Sequence, residues 1–321
     1  MSSRDKLTTA DEAVRRFVKP NSCVCFSGFT VNRNPMALAH EIIRQGIDRL
    51  HIVMHSGGQA LDLLIGAGLV ELVEIAYGAN GRFASTCTRF RKAAENGSIK
   101  VEDYSNYQMT LRFMAGAMGV PFLPTFSSLG TDILERWGFD HELRTQHPSL
   151  PKMKLVVTDD PFSSVGGPLV LVPAVNPDVC LLHAQKASAE GTVRVEGLTF
   201  ADAEQARASR AVIVTCEDVV PDEELRKEPW HNTIPSVLVD AVIHQPYGAH
   251  PTACYLHYDY DDRHLLEYDK IAADDLAFKE YLTKYVLSPG SFNDYLGILG
   301  NDRLGKLRAS PGFGFHRRDV A

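Results

Sequence analysis

Hydrophobic and polar positions alternate along this chain in short blocks of two kinds. Apolar runs of four to eight residues, several of them ending at or near a glycine, alternate with stretches of helical spacing. Thr9-Ala10-Asp11-Glu12 has the form of a capping box and predicts a first helix through Phe17, broken by Lys19-Pro20-Asn21. Cys23 to Phe26 predicts a strand that stops at Gly28. Asn34-Pro35 then supplies an N-cap and a first-turn proline for a helix carrying Met36, Leu38, Ala39, Ile42 and Ile43, stopped by Gly46. His51 to Met54 and Val70 to Tyr77 predict the next strands, with a short helix through Leu61, Leu64 and Ile65 between them. Helices follow at Arg89 to Glu95 and Tyr107 to Met118, stopped by Asn96-Gly97 and by Gly119-Val120-Pro121.

The region from about 119 to 160 is richer in Pro, Gly and Ser and predicts an irregular excursion, a small subdomain or cover. Strands resume at Leu169 to Val172, Val179 to His183 and Gly191 to Val195, with a hairpin turn at Glu190-Gly191. Phe200 to Ser209 predicts a helix; Ala211 to Cys216 and Val237 to Ile243 predict strands. Leu265 to Val286 reads as one amphipathic helix. Alternation of this kind predicts an α/β fold: an open, mostly parallel sheet with helices on both faces, within a single domain over 1–321.

Composition narrows the function classes. With 321 residues, 45% apolar and 23% charged, the chain has ample material for a packed core. A net charge of −7 excludes a general nucleic-acid binder, so any anionic ligand must meet local positive potential. The six cysteines form no C-x-x-C pair, which excludes zinc-ribbon and thioredoxin chemistry. Four of them lie in apolar runs, as reduced buried thiols do. The N-terminus is polar, and no apolar run approaches the ~20 residues of a membrane span, so a soluble cytoplasmic protein is expected.

Motifs narrow them further. There is no G-x-S-x-G elbow and no P-loop, and Gly66-Ala67-Gly68 follows a helix rather than a strand, unlike a dinucleotide fingerprint. His250, His257, Asp259 and Asp261 cluster without the spacing of a metal loop and read as a hydrogen-bonded surface or interface segment; no metal is expected. What remains is a pair of glycine turns at strand ends, Ser27-Gly28-Phe29-Thr30 and His55-Ser56-Gly57-Gly58. Such strand–turn–helix joints present backbone N–H groups and a helix N-terminus to an anion.

The turn Ser27-Gly28-Phe29-Thr30, with Arg33 and Pro35, is similar to the G-G-F signature of class I coenzyme A transferases. The resemblance continues in order along nearly the whole chain, through Arg89-Phe90-Arg91-Lys92, Glu102-Asp103-Tyr104-Ser105, His183-Ala184-Gln185, Val214-Thr215-Cys216-Glu217 and Tyr247-Gly248-Ala249-His250-Pro251. Within the family the chain resembles the α subunits. The resemblance implies the CoA-transferase type of open sheet, and transfer of CoA from an acyl-CoA to a short carboxylate or dicarboxylate such as glutaconate. In the family a β-subunit glutamate, set in a Glu-x-Gly turn, attacks the thioester and becomes a glutamyl–CoA thioester.

The turn after His51 to Met54 has no carboxylate here. Glu95-Asn96-Gly97 reads as a helix stop, and Glu190-Gly191 and Glu196-Gly197 as structural turns. The expectation is therefore that this chain holds no covalent nucleophile and works with a β subunit in a heterodimer that assembles to a heterotetramer or larger. No permanently bound cofactor is implied; a CoA thioester enters as substrate. Gly28, Phe29, Gly57 and Gly58 are expected to line the shared cleft, and Asn80 to extend its rim. Ser56 either bonds a substrate carboxylate or closes its own turn. Arg33, Arg89 and Arg91 are candidates to hold a distal carboxylate, or else surface or interface arginines. Related hydrolases and decarboxylases of CoA thioesters are the alternative, with Glu102 or Asp103 as a base. A non-catalytic assembly role beside a partner chain is the third reading.

Overall fold

The computed structural model describes residues 5–147 and 149–316. Its strands, in chain order, are β1 (Cys23–Phe26), β2 (Leu50–Gly57), β3 (Val70–Gly78), β4 (Lys100–Asp103), β5 (Phe122–Thr125), β6 (Val156–Asp159), β7 (Pro168–Pro173), β8 (Val179–Ala187), β9 (Val193–Arg194), β10 (Ala211–Val219) and β11 (Ala241–His244). The main sheet runs β11-β10-β8-β1-β2-β3-β4, every neighbouring pair parallel, with the short β9 antiparallel on β8.

Why these segments form buried strands is visible in β1. Its four residues alternate Cys-Val-Cys-Phe, and all four are buried. Val24 and Phe26 face one core with Ile52, Met54 and Leu181, under helices Met36–Gln45 and Gln59–Gly66. Cys23 and Cys25 face the other core with Val53, Cys180 and Leu182, against helices Asn106–Met118 and Asp202–Ala208. A central parallel strand covered on both faces needs such a continuous apolar run. All six cysteines are free and buried.

The winding fixes where a ligand can go. From β1 the chain moves outward through β2, β3 and β4; it then returns to β8 on the other side of β1 and moves outward again through β10 and β11. The boundary between β1 and β8, where Phe26 lies beside Leu181, is the topological switch point. In open sheets of this kind the crevice beyond the strand C-termini at that boundary is the binding place. The Gly28 turn leaves β1 there.

Several local expectations change. Asn34 does not cap the helix at 36–45, which starts after Pro35 without a side-chain cap. The stretch 119–160 is not irregular throughout: β5 and β6 flank β7 in a separate three-stranded antiparallel sheet. Leu169 to Val172 therefore belongs to that small sheet and not to the main one. The single tail helix is two α-helices, Asp262–Ala272 and Asp275–Leu282, the second continued by a π-helical turn at Thr283–Leu287; they separate because Asp274 caps the second through the Ala277 N–H. Among the described residues no helix is long and apolar enough to cross a membrane.

Candidate functional site

The Gly28 turn is held in an unusual backbone conformation. Gly28 has φ +84°, and a Cβ there would overlap the Asn32 carbonyl oxygen. Thr30 and Arg33, neither of them glycine, both sit at φ +47°. Left-handed backbone at non-glycine residues persists only where the surroundings over-determine it. Here they do. Phe29 and Asn32 exchange backbone hydrogen bonds of 2.9 and 2.8 Å. Asn34 Nδ2 donates to the Thr30 carbonyl at 2.9 Å, and Asn34 Oδ1 accepts the Ala60 N–H at 3.2 Å. Ala60 lies in the first turn of the helix that follows Gly58, so Asn34 ties the two glycine turns together. The fit is close: a Cβ on Gly58 would overlap the Thr30 carbonyl oxygen.

Beneath the turn lies a buried ion pair. Asp202, at the start of its helix, accepts the Gly28 N–H at 2.9 Å on Oδ1 and the Arg33 guanidinium at 2.5 Å on Oδ2. Arg33 also donates to the carbonyls of His183 (3.2 Å) and Leu198 (2.5 Å), and its side chain is 3% exposed. The guanidinium is thus turned into the protein, where it braces the turn. The Gly28 and Phe29 N–H groups are engaged too, so they do not point at a ligand.

What the rim does offer is aromatic and polar side chains. Phe29 stacks on Phe200 with ring centroids 4.2 Å apart, and His55 approaches Phe29 at 6.1 Å. Phe200 is itself at φ +42° and partly exposed. The Ser56 hydroxyl donates to Asn106 Oδ1 at 3.3 Å and meets His55 Nδ1 at 3.0 Å. Burial lowers the pKa of His55, against an opposing pull from Asp202.

The structure thus brings Gly28, Phe29, Ser56, Gly57 and Gly58 together. Gly57 is fixed by packing, since a Cβ would sit 2.5 Å from Leu61 Cδ2. Asn80 is buried and donates to Gln59 Oε1 at 2.8 Å, bracing the loop after β3. Arg89 lies elsewhere. It packs against Gly66, at the far end of the helix from Gly58, and binds Asp275 and the Asp274 carbonyl. Arg91 is exposed on the helix that also carries Arg89, Thr88–Glu95. Asp202, Asn34, His55, Phe200 and Asn106 escaped the sequence reading. Only the acidic first turn of 202–208 and the Asn34-Pro35 pair signalled special positions, and both read as ordinary helix starts.

The candidate carboxylates separate clearly. Glu95 ends its helix, with Asn96 as C-cap and Gly97 at φ +74°. Glu190 pairs with Arg226 at 3.0 Å. Glu102, a candidate base of the hydrolase reading, is buried in an ion pair with Arg144 and accepts the Gly138 N–H at 2.6 Å. Asp103 pairs with the buried Lys154 at 2.9 Å. Glu196 lines a cavity of about 250 Å³ with Asn32, Arg33, Tyr255 and Phe315, next to the rim.

Two buried clusters have metal-ligand composition, His183–Glu217–Cys254 and His250–Asp261–His264. Both are knitted by hydrogen bonds. His183 contacts Thr215 Oγ1 at 2.9 Å and Glu217 at 2.7 Å, and Glu217 also accepts the Tyr258 hydroxyl and the Tyr247 N–H. Burial raises the Glu217 pKa, but these bonds outweigh it and hold the carboxyl below its ordinary value. His250 bonds Tyr295 and Asp261, Asp261 bonds Arg303, and His264 bonds Tyr281. The segment expected as a hydrogen-bonded surface or interface stretch is hydrogen-bonded, but its His250 and Asp261 lie inside the protein.

Comparison with known proteins agrees with this geometry. Residues 7–245 match the family described as coenzyme A transferase. A glutaconate CoA-transferase chain from Acidaminococcus fermentans is 39% identical over 311 residues, covering 97% of each chain. A chain of 3-oxoadipate CoA-transferase from Pseudomonas knackmussii is 33% identical, covering 90% of this chain and 96% of that one. The crystal structure of the Acidaminococcus glutaconate enzyme superposes with a TM-score of 0.94 at 38% identity, over 98% of both chains. A doubly wound sheet whose switch-point turn is laced to the glycine joint at the end of β2, matched along almost its whole length, places this chain in the coenzyme A transferase family.

Proposed function

We propose that the chain is the α subunit of a heteromeric CoA-transferase that moves CoA between an acyl-CoA and a short carboxylic acid, including dicarboxylates such as glutaconate. A β subunit supplies the nucleophile. Its glutamate attacks the thioester carbonyl, expelling CoA thiolate and forming an acyl–glutamyl anhydride. The thiolate then attacks the glutamyl carbonyl, releasing the first acid and leaving glutamyl–CoA; the second acid reverses the sequence. No resident cofactor takes part.

One observation carries this reading. The Gly28 turn at the switch point and the joint at the end of the neighbouring β2 are laced together to hold a ligand wall in place. The segment expected as a turn, His55-Ser56-Gly57-Gly58, is the last three residues of β2 plus Gly58, and it has no carboxylate. The acid beneath the turns, Asp202, is already paired with Arg33 and Gly28. The wall consists of Phe29 and Phe200, which exclude water from the acyl group, and of His55, which offers a polar contact; Ser56 is buried beneath it, its hydroxyl bonded to Asn106 and His55. A dry site strengthens whatever donors the partner aims at the oxyanion. Co-expression with the cognate β subunit tests the reading. The pair is expected to exchange CoA between two acids and the isolated chain to show no exchange. Activity of the isolated chain, or net release of CoA to water by the pair, overturns it.

A further inference from the structure

Among the described residues nothing covers one face of the small sheet. Phe122 and Pro124 of β5, Val156 of β6 and Leu171 of β7 share that face by register, while Val170 and Val172 point into the core. Phe122, Pro124 and Leu171, with Phe126, Phe162 and Tyr107, line a groove of about 720 Å³. Exposure there is extreme for apolar groups: Phe162 is 96% exposed, Val165 93% and Phe126 69%. The β6–β7 hairpin that carries Phe162 and Val165 is an ordered turn. Asp160 N–H donates to the Gly167 carbonyl at 2.9 Å, and Phe162 N–H to Asp160 Oδ1 at 2.9 Å.

We propose that this face is the docking surface for the β subunit, with the hairpin tip inserted into that partner. The inference rests on the function proposed above, which requires a second chain at the rim. Two observations select the partner over other occupants. The groove is continuous with the rim: Tyr107 lines it, and its neighbour Asn106 bonds Ser56. Its area is also adequate. Taking a buried aromatic at roughly 200 Å², the exposed parts of Tyr107, Phe122, Phe126, Val156, Phe162 and Val165 sum to about 700 Å², near the ~800 Å² that each side of a stable interface contributes. The exposed Asp159 and the adjacent Asp160 at the groove edge call for basic residues flanking an apolar segment on the partner.

The test uses the full chain with its cognate β subunit. Amide hydrogen exchange of the pair should show protection of residues 122–126 and 156–165 relative to the isolated chain. The double variant Phe162→Asp/Val165→Asp should weaken association about 100-fold, as hot-spot losses do. Its thermal midpoint alone should match the parent, since both side chains are in solvent. An active wild-type pair with unchanged exchange in these segments, and a double variant that binds as tightly, overturns the docking surface but leaves the proposed function standing. So does a homodimer of the isolated chain that the double variant dissolves. A wild-type pair that neither assembles nor transfers CoA overturns both.

Discussion

Replacing Arg33 by Met separates two roles that its position at the rim permits, ligand binding and structural bracing. The structure argues for bracing. Its guanidinium meets Asp202 and two carbonyls and is nearly inaccessible. Removing it leaves the Asp202 carboxylate buried, with the Gly28 N–H still donating to it but no counter-charge from Arg33. Breaking one side of a buried ion pair costs about 3–5 kcal/mol. Against a total stability of about 5–15 kcal/mol, that is a fifth or more. Urea unfolding of the isolated chain should therefore show a large drop in midpoint at an unchanged slope. Asp202→Asn should cost a similar amount, since it strands the guanidinium instead. The double variant should lose less than the sum of the two, with a coupling of roughly 1–3 kcal/mol. If Arg33→Met leaves the unfolding midpoint unchanged and raises only the KM for the acceptor acid, Arg33 is a substrate ligand and the bracing argument fails.

Gly58→Ala should disrupt the lacing of the two turns, because the added methyl meets the Thr30 carbonyl; CoA exchange by the pair should fall at least tenfold, whereas Gly46→Ala, in open space at a helix end, should cost about 1 kcal/mol of stability and no activity. Glu196→Gln should leave CoA exchange within about threefold of the parent if the nucleophile is on the partner; loss of about 10³-fold or more would place the attacking carboxylate in this chain. Burial raises the pKa of Asp62 from 3.8 to about 6, against the pull of the Phe90 N–H and the Tyr268 hydroxyl. The favourable contribution is thus complete below pH ~4 and is lost as pH rises through 6, a difference of about 3 kcal/mol. Asp62→Asn should flatten the stability curve between pH 4 and 7 relative to the parent; parallel urea midpoints across that range would refute the assignment.

Much of this protein was legible along the chain because the deciding interactions are local. The Cys-Val-Cys-Phe run of β1 can be buried on both faces only in a central strand, and Gly46 closes its helix at φ +62° because glycine alone adopts that conformation without strain. The two glycine turns at strand ends, and the missing carboxylate in the second, are also properties of a few consecutive residues. Tertiary structure decided what lies far apart in sequence. Leu169 to Val172 read as another main-sheet strand, since a strand's period cannot say which sheet it joins; its antiparallel partners β5 and β6 settle that. Arg33 looked like an anion binder because arginine at a glycine turn is a cation near donors. Its partner Asp202 stands 169 residues away, brought beneath the turn only by the return of β8 to the edge of β1. Sequence determined that a turn would stand at the strand end. The fold determined that its cation faces inward, because a buried carboxylate with no other counter-charge would cost more than an arginine withdrawn from solvent.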